Sequence, residues 1–250
     1  NVILDKGALP GIKVDQGLKP IGDSEESLTQ GLEGLDERLK EYYSLGAKFT
    51  KWRAVIRVGD SLPSEEAVTS NMNALAEYAK LVQENNMVPM VEPEVLMDGN
   101  HSIDQCFEAT SRSLECLFRL LNEKGVNIKG TILKPNMVTS GSESFNKADI
   151  DEVASQTIRC LKMHVPDDLP GVTFLSGGQS DEDATAHLNS MNAMDVDHPW
   201  ELSYSYGRAL LANALKTWAN NENEESQSVF LHSAKMISLA RIGDWKSDLE

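Results

Sequence analysis

The sequence predicts an α/β fold in which a parallel sheet and its helices form a (β/α)8 barrel. Two observations carry this. Short apolar runs alternate six times with longer stretches of helical periodicity, the pattern of parallel strands joined by crossover helices. Lys13, Lys51, Arg53, Glu92, Lys134, Ser176 and Arg208 come from, or stand just after, different strands. Barrel strands end at one mouth, where such residues can face one another, whereas an open doubly wound sheet spreads them along an edge. A closed barrel of this class needs eight strands and the chain offers six. The expectation is therefore a single domain over residues 1–250, holding strands three to eight of a barrel, incomplete at the N-terminus and part of a longer chain.

Each element has its own signal. An apolar start at Val2–Leu4 and a break through Pro10 precede Gly11 to Asp15, the first strand; Gly17 to Glu26 reads as polar loop. Leu28, Leu32, Leu35, Leu39 and Tyr42 recur at helical spacing and Gly46 closes the helix. Phe49–Ile56 is a strand, and Ser64 with two glutamates opens a helix striped by Val68, Met72, Leu75, Tyr78 and Val82. Met87–Glu94 is the next strand, and its helix runs from Asp104 to Gly125. Thr131–Leu133 is stopped by Pro135, which cannot donate to a ladder, so Lys134 is expected as the last strand residue. A helix follows from about Lys147 to His164; Pro170–Gly178 is a strand entering a glycine loop. Helix Asp181–Met191, strand and turn Leu202–Arg208, and helix Ala209–Ala219 come next. An acidic break at Asn220–Glu225 precedes a final amphipathic helix over 226–240.

Composition narrows the function. Hydrophobic residues at 40% and charged residues at 25% fit a soluble globular chain. No apolar run is long enough to span a bilayer, and no signal-peptide pattern opens the chain, although Asn1 is not a natural start. A net charge of -16 argues against a nucleic-acid partner. Cys106, Cys116 and Cys160 form no CxxC pair and read as small buried hydrophobes in a reducing compartment. The histidines (101, 164, 187, 198 and 232) lack ligand spacing; most are expected at the surface, and no metal site is expected.

The chemistry centres on Lys134. A lysine at a strand end, with an apolar stem behind it and a cleft ahead, loses its proton more easily because desolvation disfavours the charged form. Such an amine can attack a carbonyl and form a Schiff base. Taken alone, the stretch fits a structural ion pair better, and the rest of the chain shifts the balance. Lys51 and Arg53 project from one face of their strand, and Glu92 and Glu94 share that parity on the next. The four can form an ion-pair core. Lys51 brought near Lys134 also disfavours its proton; moving a lysine from ~10.4 to ~7 takes about 4–5 kcal/mol. Ser176-Gly-Gly-Gln-Ser180 and Ser205-Tyr-Gly-Arg208 follow the last two strands. Barrels of this class often bind phosphate there through backbone N–H groups, and Arg208 adds a charged clamp.

Assembled in order, GIKVD at 11–15, KWR at 51–53, VEPE at 91–94, LKPNMV at 133–138, FLSGGQS at 174–180 and SYGRAL at 205–210 resemble the class I (Schiff-base) fructose-1,6-bisphosphate aldolases. The resemblance runs nearly end to end. It implies a TIM barrel, a lyase of glycolysis and gluconeogenesis that needs no cofactor, and reversible cleavage of fructose 1,6-bisphosphate to dihydroxyacetone phosphate and glyceraldehyde 3-phosphate. Carried over by motif, Lys134 is the Schiff-base lysine, Glu92 the acid/base and Lys51 the cation assisting carbinolamine chemistry. Ser176, Gly177, Gly207 and Arg208 match the site for the ketone-side phosphate, Lys13 and Arg53 resemble contacts to the other end of the sugar, and Glu94, Gly178 and Ser205 are further expected substrate-binding positions. A homotetramer in the cytoplasm or a plastid, with neither nucleic acid nor membrane as partner, is implied by analogy.

Departures from the pattern accompany it. The family's first-strand aspartate, its hydroxyl residues for the second phosphate and its tyrosine-ended tail have no match here, and Gln16 stands where lysine is common. The expectation is an active parent protein and an inactive isolated stretch. A non-catalytic scaffold and a transaldolase-like Schiff-base barrel are the alternatives; the second leaves the paired phosphate-type loops unexplained.

Overall fold

Parallel pairing between sequence neighbours dominates the computed structural model, which describes residues 2–220 and 223–249. A one-turn helix α1 (Val2–Asp5) leads to strand β1 (Gly11–Lys13). The segment expected as polar loop instead carries β2 (Leu18–Pro20), which pairs antiparallel with β3 (Ser27–Thr29). Leu28 therefore belongs to a hairpin, and helix α2 starts only at Leu35, running to Ser44. The misplaced start has a physical cause: Leu28 and Leu32 pack against the core from extended chain, at the spacing a helix would use.

Strand β4 (Phe49–Ile56) is followed by α3 (Glu65–Glu84), β5 (Val88–Val95) and α4 (Ile103–Glu123). Then come β6 (Ile132–Leu133), α5 (Ile150–His164), β7 (Gly171–Phe174), α6 (Asp181–Ala193), β8 (Glu201–Tyr204), α7 (Arg208–Ala219) and α8 (Asn223–Ala240). Lys134 lies one residue past β6, but its N–H still donates to Val91 O at 2.8 Å, so the ladder continues through it. Lys147 lies before α5, whose cap is Asp149. Of the expected acidic break, Asn221 and Glu222 lie outside the described residues, and α8 begins at Asn223.

Four helices start on side-chain caps that the sequence displays: Ser64 accepts from Ala67 N, Ser102 and Gln105 form a capping box, Asp149 accepts from Glu152 N, and Ser180 from Asp183 N.

The main sheet has six parallel strands in the order β1-β4-β5-β6-β7-β8. Every strand neighbours its sequence successors, so there is no reversal of order and no switch point. This is the singly wound topology of a barrel wall, distinct from a doubly wound sheet. Among the described residues β1 and β8 do not pair, and the sheet does not close.

Alternation along β4 sets the two faces. Thr50, Trp52 and Ala54 are buried beneath the helices, while Lys51 and Arg53 lie on the opposite face and are half-buried. One hydrophobic cluster runs from Val14 to Ala240 between sheet and helices. At its centre Trp52 packs on Tyr78 with ring centroids 5.4 Å apart, and the Tyr78 hydroxyl is bonded to Thr50 Oγ1 at 2.8 Å. Cys106, Cys116 and Cys160 are free thiols buried in α4 and α5. No described helix is long and apolar enough to cross a membrane.

Candidate active site

The face opposite the helices gathers the charges. Register places Arg53 beside Glu92 and Val55 beside Glu94, yet Arg53 Nε pairs with Glu94 and Lys51 Nζ with Glu92. Each cation on β4 thus reaches forward to the carboxylate two residues nearer the strand ends. Lys134 Nζ approaches the other oxygen of Glu92, Oε1, at 3.0 Å. Glu92 is therefore a buried carboxylate shared by two lysines, its side chain 4% exposed against 10% for Lys134 and 20% for Lys51.

This setting decides the state of the Lys134 amine. Burial is the largest influence and pulls it below the ordinary lysine value; Glu92 opposes that shift by charge and hydrogen bond, and Lys51 reinforces it. Desolvation wins even though an anion is in contact. The Glu94 carboxylate holds the Arg53 guanidinium above its ordinary value.

The end of β6 is held by Asn136, buried behind the lysine. Its Oδ1 accepts from Val95 N at 3.0 Å, while Nδ2 donates to Thr110 Oγ1 and to Met137 O, both at 3.0 Å. One amide thus locks the ends of β5 and β6 to α4, and with them the relative position of Glu94 and Lys134.

Across from these charges lie the two glycine loops. Arg53, Glu92, Glu94, Lys134, Leu175, Ser176, Gly177, Ser205, Gly207 and Arg208 line one open cavity of about 330 Å3. Gly177 sits at φ +58 and Gly178 at φ +95, the left-handed region that favours glycine. Ser205 N donates to Phe174 O at 2.9 Å, joining the two loops. Arg208 opens α7, so a helix N-terminus with its unsatisfied N–H groups is adjacent to the cavity.

The expected site residues do not all meet here. Lys51 reaches the cavity through Glu92. Lys13, at the end of β1, is half exposed and paired with Asp15, outside the cavity lining. Gly178 is exposed and shapes the turn without lining the cavity.

Three residues escaped the sequence reading. Asp15, with a side chain 5% exposed, pairs with Lys13 and accepts from Arg53 N at 3.3 Å, tying β1 to the charge cluster. Asn136 and Gln179 are the others. All three lay within quoted motifs, but as neighbours of the charged or glycine positions that drew attention. The histidine expectation is also corrected: His101 and His187 are buried, His164 and His198 half-buried, and only His232 is exposed. The reason is that helix α6 and the loop before α4 pack inward at these positions. Among the described residues no group of three or more His, Cys, Asp or Glu could hold a metal ion.

Comparison with known proteins agrees with this geometry. The family model described as glycolytic fructose-bisphosphate aldolase class-I matches residues 1–250. A probable fructose-bisphosphate aldolase class 1 from Xylella fastidiosa is 52% identical over 246 residues, 97% of this chain and 73% of that protein. The cytoplasmic isozyme of fructose-bisphosphate aldolase from Spinacia oleracea is 49% identical over 245 residues, 97% of this chain and 68% of the relative. A solved structure of fructose-bisphosphate aldolase from Plasmodium falciparum, in complex with TRAP and a small molecule inhibitor, superposes with a TM-score of 0.95 at 46% identity, covering 98% of this chain and 72% of that one. With a family match over its whole length, this chain belongs to the class-I fructose-bisphosphate aldolases.

Proposed function

We propose that these residues perform reversible aldol cleavage of fructose 1,6-bisphosphate through a Schiff base on Lys134. The observation that carries the roles is the shared Glu92 carboxylate, which touches both Lys51 and a Lys134 amine whose proton is loosened by burial. The neutral amine donates its lone pair to the ketone carbon, giving a carbinolamine. Loss of water, with a proton delivered through Glu92, leaves an iminium cation. When the C3–C4 bond breaks, one bond removed from the iminium carbon C2, its electron pair flows toward that cation and forms an enamine. The C4 hydroxyl gives its proton to the Glu92 carboxylate, left anionic by the dehydration, and the departing fragment becomes an aldehyde. Protonation of the enamine carbon and addition of water return the lysine and release the ketone product. The protein accelerates the step by stabilising charge that develops only in the transition state.

Substrate orientation follows from the loops. A phosphate on the ketone side fits among the Ser176, Gly177 and Gly207 backbone, the Ser205 hydroxyl and the Arg208 guanidinium. Arg53 and Glu94 face the sugar chain from the other wall, with Lys13 and Gly178 assigned to binding on family likeness alone. We also read residues 1–250 as one domain, supported by the single continuous core, and the assembly as a cytosolic homotetramer, supported only by family likeness and by the relative named as a cytoplasmic isozyme.

The test is cleavage of fructose 1,6-bisphosphate by the full-length protein and its Lys134→Met variant. The expected result is chelator-insensitive activity that falls by at least about 10⁴-fold in the variant. Activity within tenfold of the parent would overturn the role given to Lys134.

A further inference from the structure

We propose that His187 is a positioning residue for the ketone-side phosphate loop, acting through Gln179. The inference rests on the reading of Ser176 and Gly177 as phosphate ligands. Gln179 folds back on the loop it follows: its backbone N–H and its side-chain Nε2 each donate to Ser176 O, both at 3.0 Å. Two donors from one residue occupy both lone pairs of that carbonyl. The Ser176 peptide plane is thereby fixed, and with it the direction of the N–H of Gly177, a residue that lines the cavity.

The glutamine needs support of its own. With Nε2 committed to Ser176 O, its Oε1 is an acceptor, and His187 Nδ1 lies 2.6 Å from it. Nδ1 is therefore the protonated, donating nitrogen. His187 is 7% exposed and projects from α6, whose start is pinned by the Ser180 cap immediately after the loop. The relay runs from a helix through an imidazole and an amide to the loop carbonyl, with each donor given one acceptor. Gln179 is otherwise only half-buried and keeps several rotamers without His187. Its remaining contact, Met137 Sδ at 3.7 Å, is too weak to select one.

The same two side chains line a larger cavity of about 720 Å3 behind the loop, with Thr139, Lys147 and Asp183 among its walls. Lys147 Nζ is already bonded to Gly141 O at 2.5 Å and Ser142 O at 2.7 Å. The cavity leaves the glutamine room to swing away once its histidine is lost, which makes the histidine necessary to hold the loop.

The experiment compares His187→Leu, His187→Asn and Gln179→Leu in the full-length protein. The probes are dihydroxyacetone phosphate and unphosphorylated dihydroxyacetone. Loss of the donor is expected to raise KM or Kd for the phosphorylated ketone about 3- to 10-fold, with kcat changed less than about twofold and affinity for dihydroxyacetone unchanged. Asparagine, whose amide N–H can stand where Nδ1–H stood, is expected to restore affinity. The Leu double variant is expected to be no weaker than Gln179→Leu alone, because the two act in series. Equal loss for both ketones, failure of asparagine to restore binding, or additive losses in the double variant would overturn the proposal. If His187→Leu does not fold, the asparagine and Gln179 variants decide it. If the parent protein itself binds both ketones equally, the phosphate-loop reading fails first, which is a separate outcome.

Discussion

Glu92→Gln keeps the shape of a buried side chain and removes the one anion that both active-site lysines touch. Glu92 Oε1 is 3.0 Å from Lys134 Nζ. A unit charge pair at that distance is worth about 5–6 kcal/mol at an effective dielectric of ~20, and Lys51 supplies a second pair. Desolvation of the three ions offsets much of this, so the expected loss is that of breaking a buried pair, about 3–5 kcal/mol at neutral pH. Lys134 can relieve the strain by shedding its proton. Burial already holds its pKa below 10.5, and removing Glu92 takes away its charge and its hydrogen bond, the two larger influences that raise it, leaving only the Glu94 charge. Between that depressed folded pKa and 10.5 the folded state binds fewer protons than the unfolded chain, so stability is recovered as pH rises through the window and lost as pH falls through the folded pKa. Urea midpoints of the parent and Glu92→Gln proteins, taken from about pH 7 to pH 10, test this. The difference should be largest at neutral pH and narrow toward pH 10. A difference below about 1 kcal/mol at pH 7, or one that widens with pH, would refute the idea that Glu92 neutralises both Lys134 and Lys51.

Arg208→Ala should raise KM for dihydroxyacetone phosphate about 10- to 100-fold and leave dihydroxyacetone unaffected, read by steady-state kinetics. Gly177→Ala forces a side chain into φ +58 with its Cβ 2.7 Å from Leu175 Cδ1; about 1 kcal/mol of stability and a weaker phosphate response are the expected costs, read by denaturant melts and ketone phosphate binding. His101 is 3% exposed, both ring nitrogens lack a protein partner, and burial, aided by Lys147, holds its pKa below 6.5. Its folded pKa is depressed, so the stability it allows is present above 6.5 and lost as pH falls through the folded value. His101→Phe should therefore flatten the acid-side decline of stability by up to about 1.4 kcal/mol per pH unit, seen in melts between about pH 5 and 7.

Much of this fold was legible because its signals were local. Phe49–Ile56 emerged with the bounds the structure shows, since a β-branched and aromatic run bounded by Gly46 and Pro63 has no helical alternative. Ser64 announced its helix for the same reason. The hairpin Leu18–Pro20 with Ser27–Thr29 was hidden because both strands are three residues long and largely exposed, too short to display alternation. Leu28 misled because its burial comes from tertiary packing and not from a helical face.

In the site, parity along two strands foretold that Lys51 and Arg53 would meet Glu92 and Glu94, because same-face geometry follows from sequence spacing. The forward stagger of those pairs did not, since it depends on how the sheet shears. Gln179 and His187 were illegible as partners: they are eight residues apart across a loop-to-helix junction, and only the fold shows which histidine nitrogen faces the amide. Asp15 was visible in its motif but looked like a turn residue; its partners Lys13 and Arg53 lie on two different strands.

The most direct measurement is borohydride reduction of the full-length protein in the presence of dihydroxyacetone phosphate, followed by peptide mass mapping. A single reduced adduct on Lys134, unaffected by chelator and absent from Lys134→Met, is the expected result. A folded protein that yields no adduct, or one whose adduct maps to Lys51 or Lys13, would contradict the assignment of Lys134 as the amine that attacks the ketone.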